Sequence, residues 1–255
     1  MSDLHLLYEV DQNIARITIN REPQRNAITP EAVALFHEYL NQAESDDQVR
    51  VVMVTGAGDK AFCTGAQLTG EMAGGGDVFA EYARLLGRIA DFPKPTVARI
   101  KGYCLAGGTG FMLACDIVIA SDNSKFGTPE VNVGLWPMMI GALIFLNVPR
   151  KKAMEMIMLG ERLTAQEALA MGMITRVVPV EALDDEVDSV LAALASKSPI
   201  GIKIGKQAFS EAENMPLHEA LTFLSRKLQD VASTQDAVEG ITAFLEKRPP
   251  NFTGK

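Results

Sequence analysis

Three glycines within four positions constrain the fold of this chain more than any other feature. They lie in Ala106-Gly107-Gly108-Thr109-Gly110, which leads into an apolar stretch ending at Cys115 and then a short apolar run from Ile117 to Ala120. Inside a helix each glycine costs about 1 kcal/mol relative to alanine, so the cluster fits better at a helix N-terminus that another group approaches closely. There, unpaired N–H groups and the positive end of the helix dipole face that group. The pattern predicts an anion-stabilising pocket.

A second segment has the same design. The apolar run from Val51 to Thr55 predicts a strand covered on both faces, and the chain soon reaches Gly65-Ala66-Gln67. If the two glycine turns converge, two backbone N–H groups can bind one oxygen that becomes negative, and such a donor is worth about 2.7–4 kcal/mol in a transition state. Spacing alone slightly favours the alternative, in which the glycines only allow close packing of helix on strand. Neither segment has the glycine spacing of a nucleotide-binding loop.

One carboxylate stands out near the glycine cluster. Glu130 follows Pro129 in a tight loop between apolar segments. It is either a solvated loop carboxylate, which is the usual place of Glu, or a base in a mostly apolar pocket beside Trp136. In the second case desolvation would raise its pKa towards values that are useful in catalysis. Spacing does not decide between the two.

Other catalytic designs have little support. Cys63, Cys104 and Cys115 lie in or beside apolar runs without metal-ligand spacing, so we expect buried reduced thiols and no metal site. Gly102 to Ala106 superficially resembles a nucleophile elbow, but Cys104 is better explained as a core residue. None of the three histidines lies beside a glycine-rich turn, which argues against nucleophilic catalysis.

Composition narrows the choice of partners. The net charge of −8 and the pI near 5.0 argue against nucleic acid and acidic membrane surfaces as main partners. The N-terminus lacks a basic region followed by a long apolar core, and no apolar stretch reaches transmembrane length. We therefore expect a cytoplasmic protein without a membrane segment.

The order of predicted elements indicates an α/β fold. Residues 4–10 and 14–20 are predicted to pair as strands, and further strands are expected at 96–100, at 117–120 and at 174–178. Predicted helices begin after Thr29, at about Val78, at Trp136, at Lys151 and after the capping box Thr164 to Glu167. From about residue 181 only helices are expected, which suggests a core of residues 1–195 and a helical region of residues 196–255.

These segments together resemble the crotonase (enoyl-CoA hydratase/isomerase) superfamily, in the family's order and over nearly the whole chain. The matching stretches are REPQRNAIT, KAFCTGAQL, PKPTVARIKGYCLAGGTGFMLACDIVIAS, FGTPEVNVGL, LTAQEALAMGMITRVV and FLEKRPPNF. The resemblance implies a spiral of strand-strand-helix units with a C-terminal helical region that trimerises, commonly as a dimer of trimers. It favours a catalytic role for the glycine turns over packing alone.

The resemblance also implies a substrate and a site. An acyl-CoA thioester would place its carbonyl oxygen on the N–H groups of Ala66 and Gly107, with no separate cofactor. Phe244 and Lys247 resemble the pair that reaches the CoA of a neighbouring subunit. The other residues expected to contact the substrate are Arg25, Ala27, Ala61, Gly65, Gln67, Leu68, Gly108, Pro129 and Trp136.

Two positions depart from the family pattern. Hydratases of this family typically carry two glutamates that share the attacking water; Glu130 matches the second, but the first falls at Gly110. Losing one acid/base partner typically costs about 10²–10⁴-fold in rate. A single carboxylate suits a 1,3-proton shift, so the expected reaction is double-bond isomerisation. The usual Asp after the first oxyanion-hole residue is Gln67 here.

Two alternatives to isomerisation stay open. The first is hydration of a 2-enoyl-CoA, with Glu71, Asp77 or Glu81 from a glycine-dense, mobile loop supplying the second acid. The second is a catalytically silent acyl-CoA-binding protein that keeps the fold and the oxyanion hole.

Overall fold

The computed structural model describes residues 4–67 and 76–255. The strands in these ranges are β1 (Leu6–Asp11), β2 (Ile14–Ile19), β3 (Val51–Gly56), β4 (Ala61–Cys63), β5 (Thr96–Ile100), β6 (Tyr103–Leu105), β7 (Ile117–Ser121), β8 (Lys125–Gly127), β9 (Leu163–Thr164) and β10 (Arg176–Val178). The helices are α1 (Pro30–Ser45), α2 (Gly76–Ala90), α3 (Gly107–Ala114), α4 (Met138–Asn147), α5 (Arg150–Leu159), α6 (Ala165–Ala170), α7 (Leu183–Ala195), α8 (Pro199–Ala212), α9 (Leu217–Ala232) and α10 (Gln235–Glu246).

The strands form two sheets. The larger has the order β1-β2-β3-β5-β7-β10, and it is parallel except for the β1–β2 hairpin. The hairpin turns at Gln12 and Asn13, whose φ angles of 48° and 66° suit a tight turn between twisted strands. The smaller sheet has the order β4-β6-β8-β9.

The chain alternates between these sheets. The units β3-β4-α2, β5-β6-α3 and β7-β8-α4 each place a strand in the larger sheet, a short strand in the smaller sheet and then a helix. This repetition confirms the predicted spiral of strand-strand-helix units. Sequence reasoning did not find β4, β6 and β8 as strands, because three residues are too few to show an alternating pattern.

Apolar side chains fill the space on both faces of the larger sheet. All six residues of β3 are buried, as expected for a strand covered on both faces. On one face a large cluster joins the two sheets to α1, α2 and α3, with Phe36 stacked on Phe111 at 5.1 Å between ring centres. On the other face α7 packs Leu183, Val187 and Leu191 against β3 and its neighbours.

Several predicted element boundaries are confirmed and others shift. Thr29 caps α1, and Thr164 with Glu167 forms the predicted capping box. The last strand begins at Arg176 instead of Ile174, because the Thr175 hydroxyl accepts a hydrogen bond from the Val118 N–H at 2.9 Å in place of a strand partner. Helix α4 begins at Met138, after Pro137, instead of at Trp136.

The glycine-dense stretch expected to be a mobile loop lies largely outside the described residues, which resume at Gly76. From Gly76 onward the chain is helical, so the predicted helix begins two residues earlier than expected. Among the described residues no helix is both long and apolar enough to cross a bilayer.

The C-terminal third is helical, as predicted. Helix α7 ends at Ala195, and α8, α9 and α10 pack on one another. Arg50 ties this region to the sheet by donating to the Ala195 carbonyl at 3.2 Å and to the Phe252 carbonyl at 2.7 Å. The division at residue 195 and the trimer stay predictions; the helices leave large apolar side chains exposed, among them Phe209, Leu217, Leu221, Leu228, Ile241 and Phe244.

We predict opposite effects of alanine at two helical glycines. A Cβ on Gly108 would lie 2.3 Å from the backbone oxygen of Cys63, so Gly108→Ala forces backbone apart and should lower the free energy of unfolding by about 1–3 kcal/mol. A Cβ on Gly87 in α2 would have no neighbouring atom within 4 Å, so Gly87→Ala should raise the free energy of unfolding by about 0.5–1 kcal/mol. Urea unfolding of both variants measures this, and a stabilising Gly108→Ala would contradict the packing described.

Candidate active site

Three short parallel strands bring the predicted site residues to one edge. Strand β4 pairs with β6, and β6 pairs with β8, all running in the same direction. Because the carboxyl ends of parallel strands meet at one edge of a sheet, the segments that follow them lie side by side. Gly65 follows β4, Gly107 follows β6 and Glu130 follows β8. The Ala106 N–H donates to the Gly127 carbonyl at 2.9 Å and joins the last two segments.

The two glycine turns are in direct contact. A Cβ on Gly65 would lie 2.7 Å from the Cβ of Ala106 and 3.1 Å from the Gly107 nitrogen. Gly65 also has a φ angle of 95°, which residues with a side chain rarely adopt. The convergence that the sequence suggested is therefore present, and it depends on the absence of a side chain at residue 65.

The N–H of Ala66 faces away from the neighbouring loop. Ala66 forms a parallel bridge with Ile28, in which the Ile28 N–H donates to the Gly65 carbonyl at 2.8 Å and the Gln67 N–H donates to the Ile28 carbonyl at 2.9 Å. Since Ile28 bonds to both neighbours of Ala66, the N–H of Ala66 itself lies on the opposite side of the segment. Gly107 lies near this segment, since a Cβ on Gly65 would be 3.1 Å from the Gly107 nitrogen.

Gly107 carries the second candidate donor. It is the first residue of α3, so its N–H has no partner within the helix. The preceding Ala106 has φ 52° and ψ −128°, a positive-φ conformation outside the left-handed helical region that costs about 1–3 kcal/mol for a residue with a Cβ. Strained backbone immediately before this N–H makes Gly107 a candidate donor of an oxyanion hole.

Glu130 is a partly buried carboxylate at the start of a 3₁₀ helix, Pro129–Val133. Its Oε2 atom is buried and has no hydrogen-bond partner among the described residues. Burial raises the pKa of the Glu130 carboxyl above its ordinary value, against a smaller opposing effect of a backbone hydrogen bond. The solvated-loop alternative is therefore wrong for this residue, and a carboxylate with an unused oxygen is suited to act as a base.

Asn26 is a residue that sequence reasoning missed. It is fully buried with φ 56°, and its Nδ2 donates to the carbonyls of Ala57 at 3.0 Å and Ala61 at 2.6 Å. Its Oδ1 accepts the Arg21 N–H at 2.9 Å. Asn tolerates the left-handed conformation, which is a weak signal in the sequence. These bonds hold the loop of Arg25 against the connection between β3 and β4.

Arg21 links this loop to Gln67. Its Nη2 donates to the Gln67 Oε1 at 2.8 Å, and its Nη1 donates to the Ala27 carbonyl at 2.5 Å. A guanidinium with several fixed donors can bond two acceptors at once. Gln67, the departure from the family pattern that sequence reasoning left unexplained, thus takes part in fixing the loop that contains Arg25 and Ala27.

Gly110 has no room for a side chain. A Cβ there would lie 2.4 Å from the Ile140 Cγ2 and 3.0 Å from the Tyr82 hydroxyl oxygen. A glutamate at residue 110 would therefore require Ile140 and Tyr82 to move, so the surrounding side chains are packed for a glycine at this position. Glu81, the described candidate for a second acid, is paired with Arg84 and is 45% exposed, so it does not occupy this space.

The remaining predicted residues are spread more widely. Gly108 packs on the Cys63 backbone and Trp136 is 44% exposed. Phe244 is 81% exposed on α10, and Lys247 follows that helix with φ 56°, so within one chain both belong to the C-terminal helical region. Leu68 and Glu71, as well as the side chain of Asp77, lie outside the described residues.

The cysteines are free and buried, as predicted. Burial raises the pKa of Cys63 and of Cys115 to about 12 and that of Cys104 well above its ordinary value, so none is poised as a nucleophile. Within residues 4–67 and 76–255 no group of three His, Cys, Asp or Glu side chains is placed to bind a metal ion.

Comparison with known proteins gives consistent matches over the full length. A family model described as enoyl-CoA hydratase/isomerase matches residues 9–255. The chain is 35% identical over 251 residues to (E)-benzylidenesuccinyl-CoA hydratase of Thauera aromatica, covering 96% of this chain and 98% of that protein. It is 31% identical over 250 residues to short-chain-enoyl-CoA hydratase of Clostridium acetobutylicum, covering 96% and 95%.

Solved structures of enoyl-CoA hydratases match the fold of this chain. The crystal structure of enoyl-CoA hydratase from Bacillus anthracis superposes with a TM-score of 0.93 at 31% identity, covering 98% of this chain and 100% of that one. Human enoyl-CoA hydratase domain-containing protein 3 also gives a TM-score of 0.93, at 30% identity, covering 97% and 100%. These matches confirm the fold class that was predicted from the sequence.

The raised pKa of Glu130 predicts that Glu130→Gln makes the fold more stable at neutral pH. A carboxyl whose pKa is higher in the folded than in the unfolded chain binds its proton more tightly when folded, so its contribution to stability falls as pH rises. The increase in the free energy of unfolding that the variant shows over the wild type should be small near about pH 4, where the wild-type carboxyl is largely protonated, and larger near about pH 8. Urea midpoints at both pH values measure it.

Glu9→Gln is the matched control, because Glu9 is an exposed carboxylate on β1. It should show no comparable gain. A Glu130→Gln gain that is equal at both pH values would contradict desolvation as the cause.

Proposed function

We propose, since the chain belongs to the enoyl-CoA hydratase/isomerase family, that it isomerises the double bond of an enoyl-CoA with Glu130 as the single acid/base. One observation carries the proposal. A buried carboxylate oxygen with no hydrogen-bond partner among the described residues lies in the segment next to the two candidate donors, while the position of a second carboxylate is a glycine with no space for a side chain.

The thioester carbonyl oxygen would bind to the N–H groups of Ala66 and Gly107. Removing a proton from the α carbon moves its electron pair towards that oxygen, which becomes an enolate. Fixed donors in a site without water stabilise this charge without reorganising, and one such donor is worth about 2.7–4 kcal/mol. The contact between Gly65 and the Ala106–Gly107 turn supports this role, because the two segments that carry the proposed donors touch there.

Glu130 would move the proton. In a 3-enoyl-CoA its carboxylate takes a proton from the α carbon, the C–H electrons form the conjugated enolate, and the carboxyl then delivers a proton to the γ carbon to give the 2-enoyl-CoA. No water and no second acid are consumed. Burial raises the pKa of Glu130, which makes it a stronger base when it is ionised.

The CoA part would lie along the loop fixed by Asn26 and Arg21. Arg25 is exposed at the turn of this loop, with φ 53°, and Ala27 and Ala61 are held to it by hydrogen bonds. A local cation there offsets the net charge of −8 where CoA phosphates approach. Phe244 and Lys247 are proposed to complete the CoA site of a neighbouring subunit, which their exposed position at the end of α10 permits.

Hydration is the second candidate, and the names of the relatives favour it. The proteins from T. aromatica and C. acetobutylicum are named as hydratases. Water would have to be activated by Glu130 alone, or with an acid from the segment that contains Glu71. A silent acyl-CoA-binding protein is the third candidate, and the unpartnered oxygen of Glu130 argues against it.

Glu130→Gln should abolish most turnover. The variant cannot accept a proton, so kcat should fall by about 10²–10⁴-fold. Binding of butyryl-CoA, measured by calorimetry, should change little because the oxyanion donors remain. The wild-type kcat/KM should fall at acid pH with a midpoint above the ordinary Glu range, since its pKa is raised. Glu9→Gln is the control, and unchanged turnover in Glu130→Gln would overturn the assignment of the base.

Chromatography of the products with mass detection distinguishes the candidate reactions, because the 2-enoyl and 3-enoyl isomers have equal mass and must be separated by retention time. The wild-type protein is incubated with 2-enoyl-CoA and 3-enoyl-CoA thioesters of several chain lengths. The proposal predicts interconversion of the two without change in mass. Gain of one water on the 2-enoyl thioester, without isomerisation, would replace the proposal by hydration. Binding without conversion of either would favour the silent protein.

A further inference from the structure

Tyr82 lies at the centre of the candidate site and has no role in the family pattern described above. It is on α2, is 8% exposed, and its hydroxyl donates to the Gly107 carbonyl at 2.5 Å. Its ring meets Phe111 edge-on, with 5.3 Å between ring centres and 74° between planes. The side chain is thus fixed at its ring by packing and at its tip by one backbone group.

The tip occupies a defined place along α3. A Cβ on Gly107 would lie 2.9 Å from the Tyr82 hydroxyl oxygen, and a Cβ on Gly110 would lie 3.0 Å from it. Residues three apart are neighbours on one helix face, so the hydroxyl fits against a face on which both positions are glycine. It stands where a side chain of residue 110, such as the first glutamate of the two-carboxylate pattern, would begin.

The hydroxyl remains a donor and does not act as a base. Burial raises the pKa of Tyr82 well above its ordinary value, and the nearby Cys63, Glu130 and Cys104 raise it further. A protonated phenol has one hydrogen to donate, and here the Gly107 carbonyl accepts it. Tyr82 is therefore equipped to hold backbone in place.

We propose that Tyr82 is a positioning residue of the oxyanion hole, which fixes the Gly107 backbone through its carbonyl and thereby aims the Gly107 N–H at the thioester oxygen. Gly107 and Gly108 have no Cβ, so their torsion angles are less restricted than those of other residues. The hydrogen bond from Tyr82 adds a restraint from a separate helix to the one that the Ala106 N–H makes with the Gly127 carbonyl. This inference rests on the proposed function, because it needs the oxyanion hole to be used.

Tyr82→Phe tests the proposal, since it removes the hydroxyl and keeps the ring that packs on Phe111. The matched control is Tyr39→Phe, because Tyr39 is also 8% exposed and stacked on a ring, and its hydroxyl donates to the Leu6 carbonyl at 3.4 Å. Two readouts are compared: kcat and KM with the enoyl-CoA that the wild type converts, and the infrared carbonyl frequency of bound [1-¹³C]butyryl-CoA.

The proposal predicts a kcat about 10- to 100-fold lower in Tyr82→Phe, less than the loss of a whole oxyanion donor, with KM changed by less than about threefold. The downshift of the bound carbonyl frequency should shrink in Tyr82→Phe and persist in Tyr39→Phe. Because the frequency is measured on bound ligand, loss of folded protein does not imitate the effect.

Two results would overturn the proposal in different ways. If Tyr82→Phe keeps the full frequency downshift and the wild-type kcat, Tyr82 is a packing residue, and the proposed function stands. If the wild-type protein itself shows no downshift with bound butyryl-CoA, the oxyanion hole is not used, and the proposed function fails together with this inference.

Discussion

The parallel pairing of β4, β6 and β8 is the constraint on which the candidate site depends. Each strand has only three residues, yet their common direction delivers Gly65, Gly107 and Glu130 to the same edge. Glycine then permits contact between the first two segments, since a Cβ on Gly65 would lie 2.7 Å from that of Ala106. The larger sheet and its helices hold these short strands in register. In this way segments that are far apart in sequence form one candidate site.

Burial would act on the two halves of this candidate site in opposite ways. It would strengthen the proposed N–H donors of Ala66 and Gly107, because dipoles in a medium of low polarity act on a developing charge with little screening. It penalises Glu130, whose pKa is raised and whose Oε2 has no partner among the described residues. A buried carboxylate oxygen that forms no hydrogen bond destabilises the fold, and this cost is the reason why we propose a catalytic role for Glu130. The same burial keeps the Tyr82 hydroxyl protonated, so that it donates a hydrogen bond to the Gly107 carbonyl.

Much of this architecture was predictable from local sequence. The glycine cluster at 107–110 predicted a helix N-terminus, the fully apolar β3 predicted a covered strand, and Thr164 with Glu167 predicted a capping box, all of which are present. The small sheet was not predictable, because three-residue strands carry no periodicity.

The details of the site depend on orientation, which spacing does not encode. Glu81 and Tyr82 are adjacent, but 3.6 residues per turn separates their directions by about 100°. Only the structure shows that Tyr82 faces Gly107 while Glu81 pairs with Arg84. Asn26 was likewise missed, because its bonds reach Ala57 and Ala61, 31 and 35 residues away.

The most direct test of the account is hydrogen exchange at the α carbon of butyryl-CoA in D₂O, followed by mass spectrometry. This thioester has no double bond, so it reports enolate formation alone. The account predicts deuterium at the α carbon with the wild-type protein and none with Glu130→Gln. Absence of exchange in a wild-type protein saturated with butyryl-CoA would contradict it.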